Sequence, residues 1–419
     1  MIAHIKSAPV DGIADAPPSK SSMQRAVAAS LLANGKSTLL NPSYCDDSLA
    51  ALEIAKCLGA KVDADDEKVI ISGGFNPSCT IIDCNESGLS ARLFSAVAAL
   101  HNGNITISGR GSIMNRPMDY AVDGLRSMGA FAESSGGLLP LRVKGPLKGG
   151  TGYIDGSVSS QFLTGLLMAL PLAENDSRLF VSGLASKPYI DLTLDLLAKY
   201  GIEVRNENYE EFYIPGNQIY RPSIYSVEGD WSGASALLVL GATAGRMVVN
   251  RLQPGSTQAD SKIVECLRMA GAVVSLRDNT VTAESGNLEG FSVDISDSPD
   301  LAPSLAALAV SCEGKSVIKG TSRLKVKESD RGRVLESEFR KLGVDIVNRE
   351  DSIEITGRLP VKGGRVSSFG DHRIAMALAL LGAVAKDEVI IEKAGSVHKS
   401  YPGFFREIEK AGLKCTLRE

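Results

Sequence analysis

The chain has 419 residues, of which 44% are hydrophobic and 22% charged, and a formal net charge of -4. That length exceeds what one hydrophobic core organises, so two domains are expected, and the composition excludes extended disorder. Few aromatics and no long basic run exclude a nucleic-acid surface as the main business of the protein, so an anionic ligand must be met by a local cluster of cations.

In chain order, residues 1–10 lack the apolar core of a signal peptide, and the longest apolar stretches, such as 375–385, fall short of a membrane span. A cytoplasmic protein with no membrane partner is expected. Seven cysteines, Cys45, Cys57, Cys79, Cys84, Cys266, Cys312 and Cys415, are odd in number and lack zinc-ligand spacing. Reduced thiols and no metal site are predicted.

A repeat then dominates the reading. Gly59, Gly129, Gly201, Gly271, Gly343 and Gly412 recur about 70 residues apart, each after an amphipathic stretch and before an alternating one. This is the pattern of a left-handed helix C-cap feeding a strand. In a second register of the repeat, apolar helices are predicted near 23–33, 91–100, 162–172, 234–244, 301–312 and 374–385. Being apolar nearly all round, they are predicted to be buried.

Their polarity gathers at their starts: Pro18-Ser19-Lys20-Ser21, Ser87-Gly88-Leu89-Ser90, Ser157 to Gln161, Asp230-Trp231-Ser232-Gly233, Ser298-Pro299-Asp300 and Gly370-Asp371-His372-Arg373. Serine and aspartate are ordinary N-caps, but capping does not need Lys20, Arg92, Gln161 or Arg373. A cation in the first turn opposes the helix dipole unless an anion sits there, and free N–H groups beside Lys or Arg make a phosphate or carboxylate site. Arg116 precedes a further helical segment. The run Lys325 to Arg331 is predicted to begin a helix, with Lys325 and Lys327 on its unfavourable end. Gly35-Lys36-Ser37 and Gly314-Lys315-Ser316 lack the first glycine of a P-loop and read as turns.

Ser19-Lys20-Ser21 with Arg25, Asp155 to Thr164, Ser186 to Tyr189, Lys327 to Arg331 and Asp371-His372-Arg373 together resemble the motifs of the 5-enolpyruvylshikimate-3-phosphate (EPSP) synthase family, in order along the chain. The resemblance implies a two-lobed inside-out α/β barrel of six repeated units, three per lobe, with buried helices. One lobe would span 19–228 and the other 1–18 with 229–419, the active site lying in the interlobe cleft. It implies transfer of the enolpyruvyl group of phosphoenolpyruvate to the 5-hydroxyl of shikimate 3-phosphate, in the shikimate pathway to chorismate and the aromatic amino acids, by a monomer without cofactor.

By motif match, the resemblance assigns Lys20, Gly88, Arg116, Gln161, Arg331, Arg373 and Lys399 to phosphoenolpyruvate. It assigns Lys20, Ser21, Arg25, Ser159, Ser160, Gln161, Ser186, Tyr189, Asp300 and Lys327 to shikimate 3-phosphate. Lys20, Asp300 and Glu328 are the candidates for catalysis, and His372 for a supporting hydrogen bond. Two departures stand out: Glu86-Ser87-Gly88-Leu89 puts a carboxylate and an apolar side chain near the expected phosphoenolpyruvate pocket, and Arg323 stands where the family often has an amide. Gly88 suggests that glyphosate fits. The related transferase acting on UDP-N-acetylglucosamine usually has Lys-Asn at Lys20-Ser21 and a loop cysteine, but 105–125 contains none. A noncatalytic anion-binding repeat protein would gain nothing from Asp300 and Glu328.

Overall fold

The computed structural model describes residues 1–358 and 360–419. The chain divides into two compact units, Met1–Pro17 with Glu228–Glu419, and Pro18–Val227. Each has its own apolar core. Within each, the buried helices lie inside and the strands alternate between a core-facing and an outward residue, as in Leu138–Lys144. Such alternation is what a one-sided sheet requires.

Six four-stranded sheets share one topology. In the middle sheet of Pro18–Val227, Ile81–Asp83 pairs in parallel with Asn104–Ser108 across the helix Gly88–Ala98, and the hairpin Phe131–Ser135 and Leu138–Lys144 completes it. Two exceptions explain how the chain passes between units. Val10–Asp15 precedes the helix Lys20–Leu32 yet pairs with Gly245–Asn250, whereas Ile224–Ser226 precedes Trp231–Ala244 yet pairs with Lys36–Leu40. The two first strands have changed places. A third irregularity is at the ends: Ile2–Lys6 sits between Val389–Glu392 and Lys414–Arg418, filling the fourth-strand position that the chain's own terminus leaves.

All six predicted turn glycines adopt positive φ, between 79° and 111°. The helices begin earlier than the apolar runs indicated, at Lys20, Gly88, Ser160, Trp231 and His372, while Ala302–Ser311 follows a 3-10 turn, Pro299–Leu301. Side chains of Ser19, Ser87, Ser159, Asp230 and Asp371 cap five of them. The polar first turns are therefore helical, because their N–H groups need no intrahelical partner. The run Lys325 to Arg331 departs from expectation. Ser322–Val326 is a 3-10 turn, Lys327 is extended, and the helix Arg331–Lys341 starts only after Asp330 caps it.

Cys57 and Cys79, expected as separate reduced thiols, lie side by side with Cα atoms 5.4 Å apart, the spacing at which a disulfide can form. Local backbone geometry brings them together: Asn76 N–H donates to Leu58 O and Ser78 N–H to Cys57 O, laying the loop along the end of the helix Asp46–Cys57. Counting and spacing cysteines cannot see such a loop. The other five cysteines are free. Among the described residues, no helix is long and apolar enough to cross a membrane.

Candidate active site

In Pro18–Val227, three buried helices are joined near their N-termini by polar side chains. Lys20 opens the first, and its Nζ lies 3.0 Å from Asp47 Oδ2. Gln24 Oε1 accepts from Ser87 Oγ at 3.3 Å, tying that helix to the cap of Gly88–Ala98. Arg25, only 1% exposed, donates from Nε to Thr193 Oγ1 at 2.9 Å and from Nη1 to Ser21 O at 2.9 Å. Its Nη2 reaches Thr164 Oγ1 at 3.4 Å and Tyr189 O at 3.3 Å. Burial pulls the guanidinium down to about 10, so it keeps its charge at neutral pH.

Arg25 thus holds together Ser21, Tyr189 and the helix behind Ser159 and Ser160, which are the residues assigned to shikimate 3-phosphate. Ser186, buried beside them in sequence with φ 60°, adopts the left-handed backbone just before the helix Pro188–Lys199. Gly88, Arg116 and Gln161 also converge. A Cβ at Gly88 would collide with Arg116 Nη1 and stand 3.0 Å from Arg92 Nη1, while Arg92 Nη1 donates to Gln161 Oε1 at 3.0 Å. Of the two departures near Gly88, Leu89 is buried in the apolar core and Glu86 lies against Gly111, in the 3-10 turn Gly111–Asn115 that leads to Arg116.

The other unit gathers its charges around Arg331. This side chain is 1% exposed and meets three carboxylates: Nη1 to Asp300 Oδ1 at 2.7 Å, Nη2 to Glu328 Oε2 at 2.7 Å and Nε to Asp371 Oδ2 at 2.8 Å. Burial opposes its charge, but those carboxylates outweigh burial and raise its pKa well above the usual value. Asp300 also takes Lys327 Nζ at 3.2 Å and Arg373 Nη2 at 3.3 Å. Burial pulls the Lys327 ammonium below its ordinary range, with Asp300 resisting. Asp371 accepts from Arg373 N at 3.0 Å, so one residue caps the helix His372–Val384 and anchors Arg331. His372 is buried beside it, its Nδ1 3.8 Å from Asp371 Oδ1. Lys399 is buried at the end of the 3-10 turn Ala394–Lys399, and Arg323 turns its Nη1 to Ser296 O at 3.2 Å.

Sequence reasoning missed several partners. Asp47, Thr193 and Asp260 carry no motif, and Thr164 closes one that gives no sign of its partner; all become visible only when distant segments meet. Asp260 is fully buried, hydrogen-bonded by Ser232 Oγ, and raised to about 6 by burial first and then by the charge of Asp300, with Arg373 opposing. Arg92 was noticed as a cation at a helix start, but nothing in the sequence supplied its role.

This arrangement, guanidinium and ammonium groups beside helix N-termini with carboxylates among them, can bind anions and move protons. Known proteins with the same sequence pattern fit it. The model of the family EPSP synthase (3-phosphoshikimate 1-carboxyvinyltransferase) matches residues 5–408. The 3-phosphoshikimate 1-carboxyvinyltransferases of Clostridium kluyveri and Methanocorpusculum labreanum are each 37% identical over 409 residues, covering 96% of this chain and 95% and 96% of theirs. The structure of EPSP synthase from Acinetobacter baumannii matches the fold with a TM-score of 0.85 at 24% identity, over 100% of both chains. Matched from within its first strand to its last helix, this chain belongs to the EPSP synthase family.

Proposed function

We propose that this protein transfers the enolpyruvyl group of phosphoenolpyruvate to the 5-hydroxyl of shikimate 3-phosphate and releases phosphate, a step of aromatic amino acid biosynthesis. The observation that carries the reading is the cluster in which Asp300 and Glu328 share Arg331, with Lys327 and Arg373 beside Asp300. Pure anion binding has no use for two carboxylates at that place; acid/base chemistry does.

On this reading Glu328 delivers a proton to the methylene carbon of phosphoenolpyruvate, making the central carbon electrophilic. The 5-hydroxyl attacks that carbon as Asp300 takes its proton, giving a tetrahedral intermediate. Glu328 takes a proton back from the new methyl group, which restores the double bond as the C–O bond to phosphate breaks and phosphate leaves. Lys20 stabilises the charge that builds on the intermediate and takes part in proton traffic. The three groups titrate as a set. Arg116, Gln161, Arg331, Arg373 and Lys399, with the space at Gly88, hold phosphoenolpyruvate. Ser21, Arg25, Ser159, Ser160, Ser186, Tyr189 and Lys327 hold shikimate 3-phosphate, and His372 supports the cluster. On this reading the protein acts in the cytoplasm as a monomer.

Phosphate release from phosphoenolpyruvate tests the reading. It is expected only when shikimate 3-phosphate is also present; release driven by UDP-N-acetylglucosamine instead, or no release with either, overturns it. Because Gly88 leaves room at the same place, glyphosate is expected to inhibit in competition with phosphoenolpyruvate.

A further inference from the structure

Arg92 is 2% exposed, and its guanidinium reaches four residues in three segments of the chain. Nε donates to the Tyr120 hydroxyl, Nη1 to Gly88 O at 3.3 Å and to Gln161 Oε1 at 3.0 Å, and Nη2 to Pro117 O at 3.2 Å. Its Cζ also lies 5.8 Å from the centroid of the Tyr120 ring, which packs edge-on against Phe162 at 6.1 Å. These particular acceptors belong to, or adjoin, Gly88, Arg116 and Gln161.

Two consequences follow from donor chemistry. A guanidinium only donates, so the amide of Gln161 must present its oxygen to Arg92 and turn its NH2 group away. Pro117 follows Arg116 directly, so the bond to Pro117 O anchors the Pro117–Met118 peptide, one residue past the Cα that bears the Arg116 side chain. The geometry points to Arg92 as a positioning residue for phosphoenolpyruvate: it touches no substrate, sets which face of the Gln161 amide is offered and holds the stance of Arg116. This inference rests on the reading that Gln161 and Arg116 hold phosphoenolpyruvate. A fixed donor array of this kind lowers the ordering cost of binding.

The test is a double-mutant cycle on the full-length enzyme, with steady-state kinetics in both substrates and thermal unfolding of every variant. Arg92→Lys keeps the charge and loses the fork; it is expected to raise the KM for phosphoenolpyruvate at least about tenfold, with a smaller change in kcat. Gln161→Ala is expected to raise the same KM, and adding Arg92→Lys to it is expected to cost about threefold or less, because the two act as a unit. Should Arg92→Lys fold poorly, Tyr120→Phe removes one acceptor and keeps the ring, and a rise in that KM of about threefold is expected. Multiplying effects in the double variant, or an Arg92→Lys or Tyr120→Phe enzyme with lowered unfolding temperature and unchanged KM, overturns the inference while leaving the substrate assignment intact. If neither Gln161→Ala nor Arg116→Ala alters that KM, the assignment itself falls, and the inference with it.

Discussion

Arg331 meets three carboxylates, and Lys327 and Arg373 join it on one of them, so the six charges named there balance before any ligand arrives. An anionic substrate gains most from such a group if a carboxylate gives way or takes up a proton, which is what an acid/base pair does during turnover. Asp300→Asn and Glu328→Gln are therefore expected to fold normally, since Arg331 keeps its other partners, and to lose at least about a hundredfold in kcat. Near wild-type turnover in either variant would remove that residue from the chemistry. Asp260 offers a separate check by stability. Facing Ser232, Asp230, Asp300 and Arg373, its carboxyl is raised from 3.8 to about 6, mainly by burial. A raised acid means that the folded state binds the proton more tightly than the unfolded one. The stability it contributes is present below pH 4 and lost as pH rises through about 6, by roughly 3 kcal/mol at most. Asp260→Asn is thus expected to gain stability relative to the parent between pH 4 and pH 7 in denaturant titrations; a difference independent of pH would refute the assignment.

At the scale of elements, the six buried helices and their turn glycines could be read from periodicity, because apolar runs and left-handed caps are local signals. The first turns could be read only from their capping residues. They hold Lys20, Gly88 and Ser160, polar or small residues that a search for apolar faces passes over, and they are helical because capping side chains satisfy them. The partners of Arg25 could not be read, since Thr164 and Thr193 stand 139 and 168 residues away in sequence. Two helical glycines give contrasting expectations for the same substitution. At Gly88 a Cβ meets the guanidinium end of the Arg116 side chain and no backbone, so Gly88→Ala is expected to keep the unfolding temperature and raise the KM for phosphoenolpyruvate at least about tenfold. At Gly165 it meets the backbone of Arg92 and Leu93 at 2.9 Å, where neighbouring helices touch. Gly165→Ala is expected to cost about 1–3 kcal/mol by calorimetry or denaturant unfolding. Equal behaviour of the two variants in both measurements would contradict these contacts.

Across the whole molecule, the exchange of Val10–Asp15 and Ile224–Ser226 between sheets has no local signal, and the grouping of 1–18 with 229–419 comes from the family resemblance and not from the repeat. Each looks locally like the opening strand of the repeat that follows it, and only pairing register reveals where it goes. The exchange leaves Pro18–Val227 with three complete sheets and its own core in one continuous stretch. A fragment of residues 18–227 is therefore expected to unfold cooperatively on its own, and a non-cooperative transition followed by circular dichroism would count against that autonomy.

The other unit has no such continuity. Its strand Ile2–Lys6 is flanked by Val389–Glu392 and Lys414–Arg418, so this sheet forms only when segments far apart in the sequence meet. Pairing across so long a separation is slow to form, because the loop must close before the contacts repay it. Deleting Lys414–Arg418 would bare one edge of Ile2–Lys6 and leave Val389–Glu392 to hold the other.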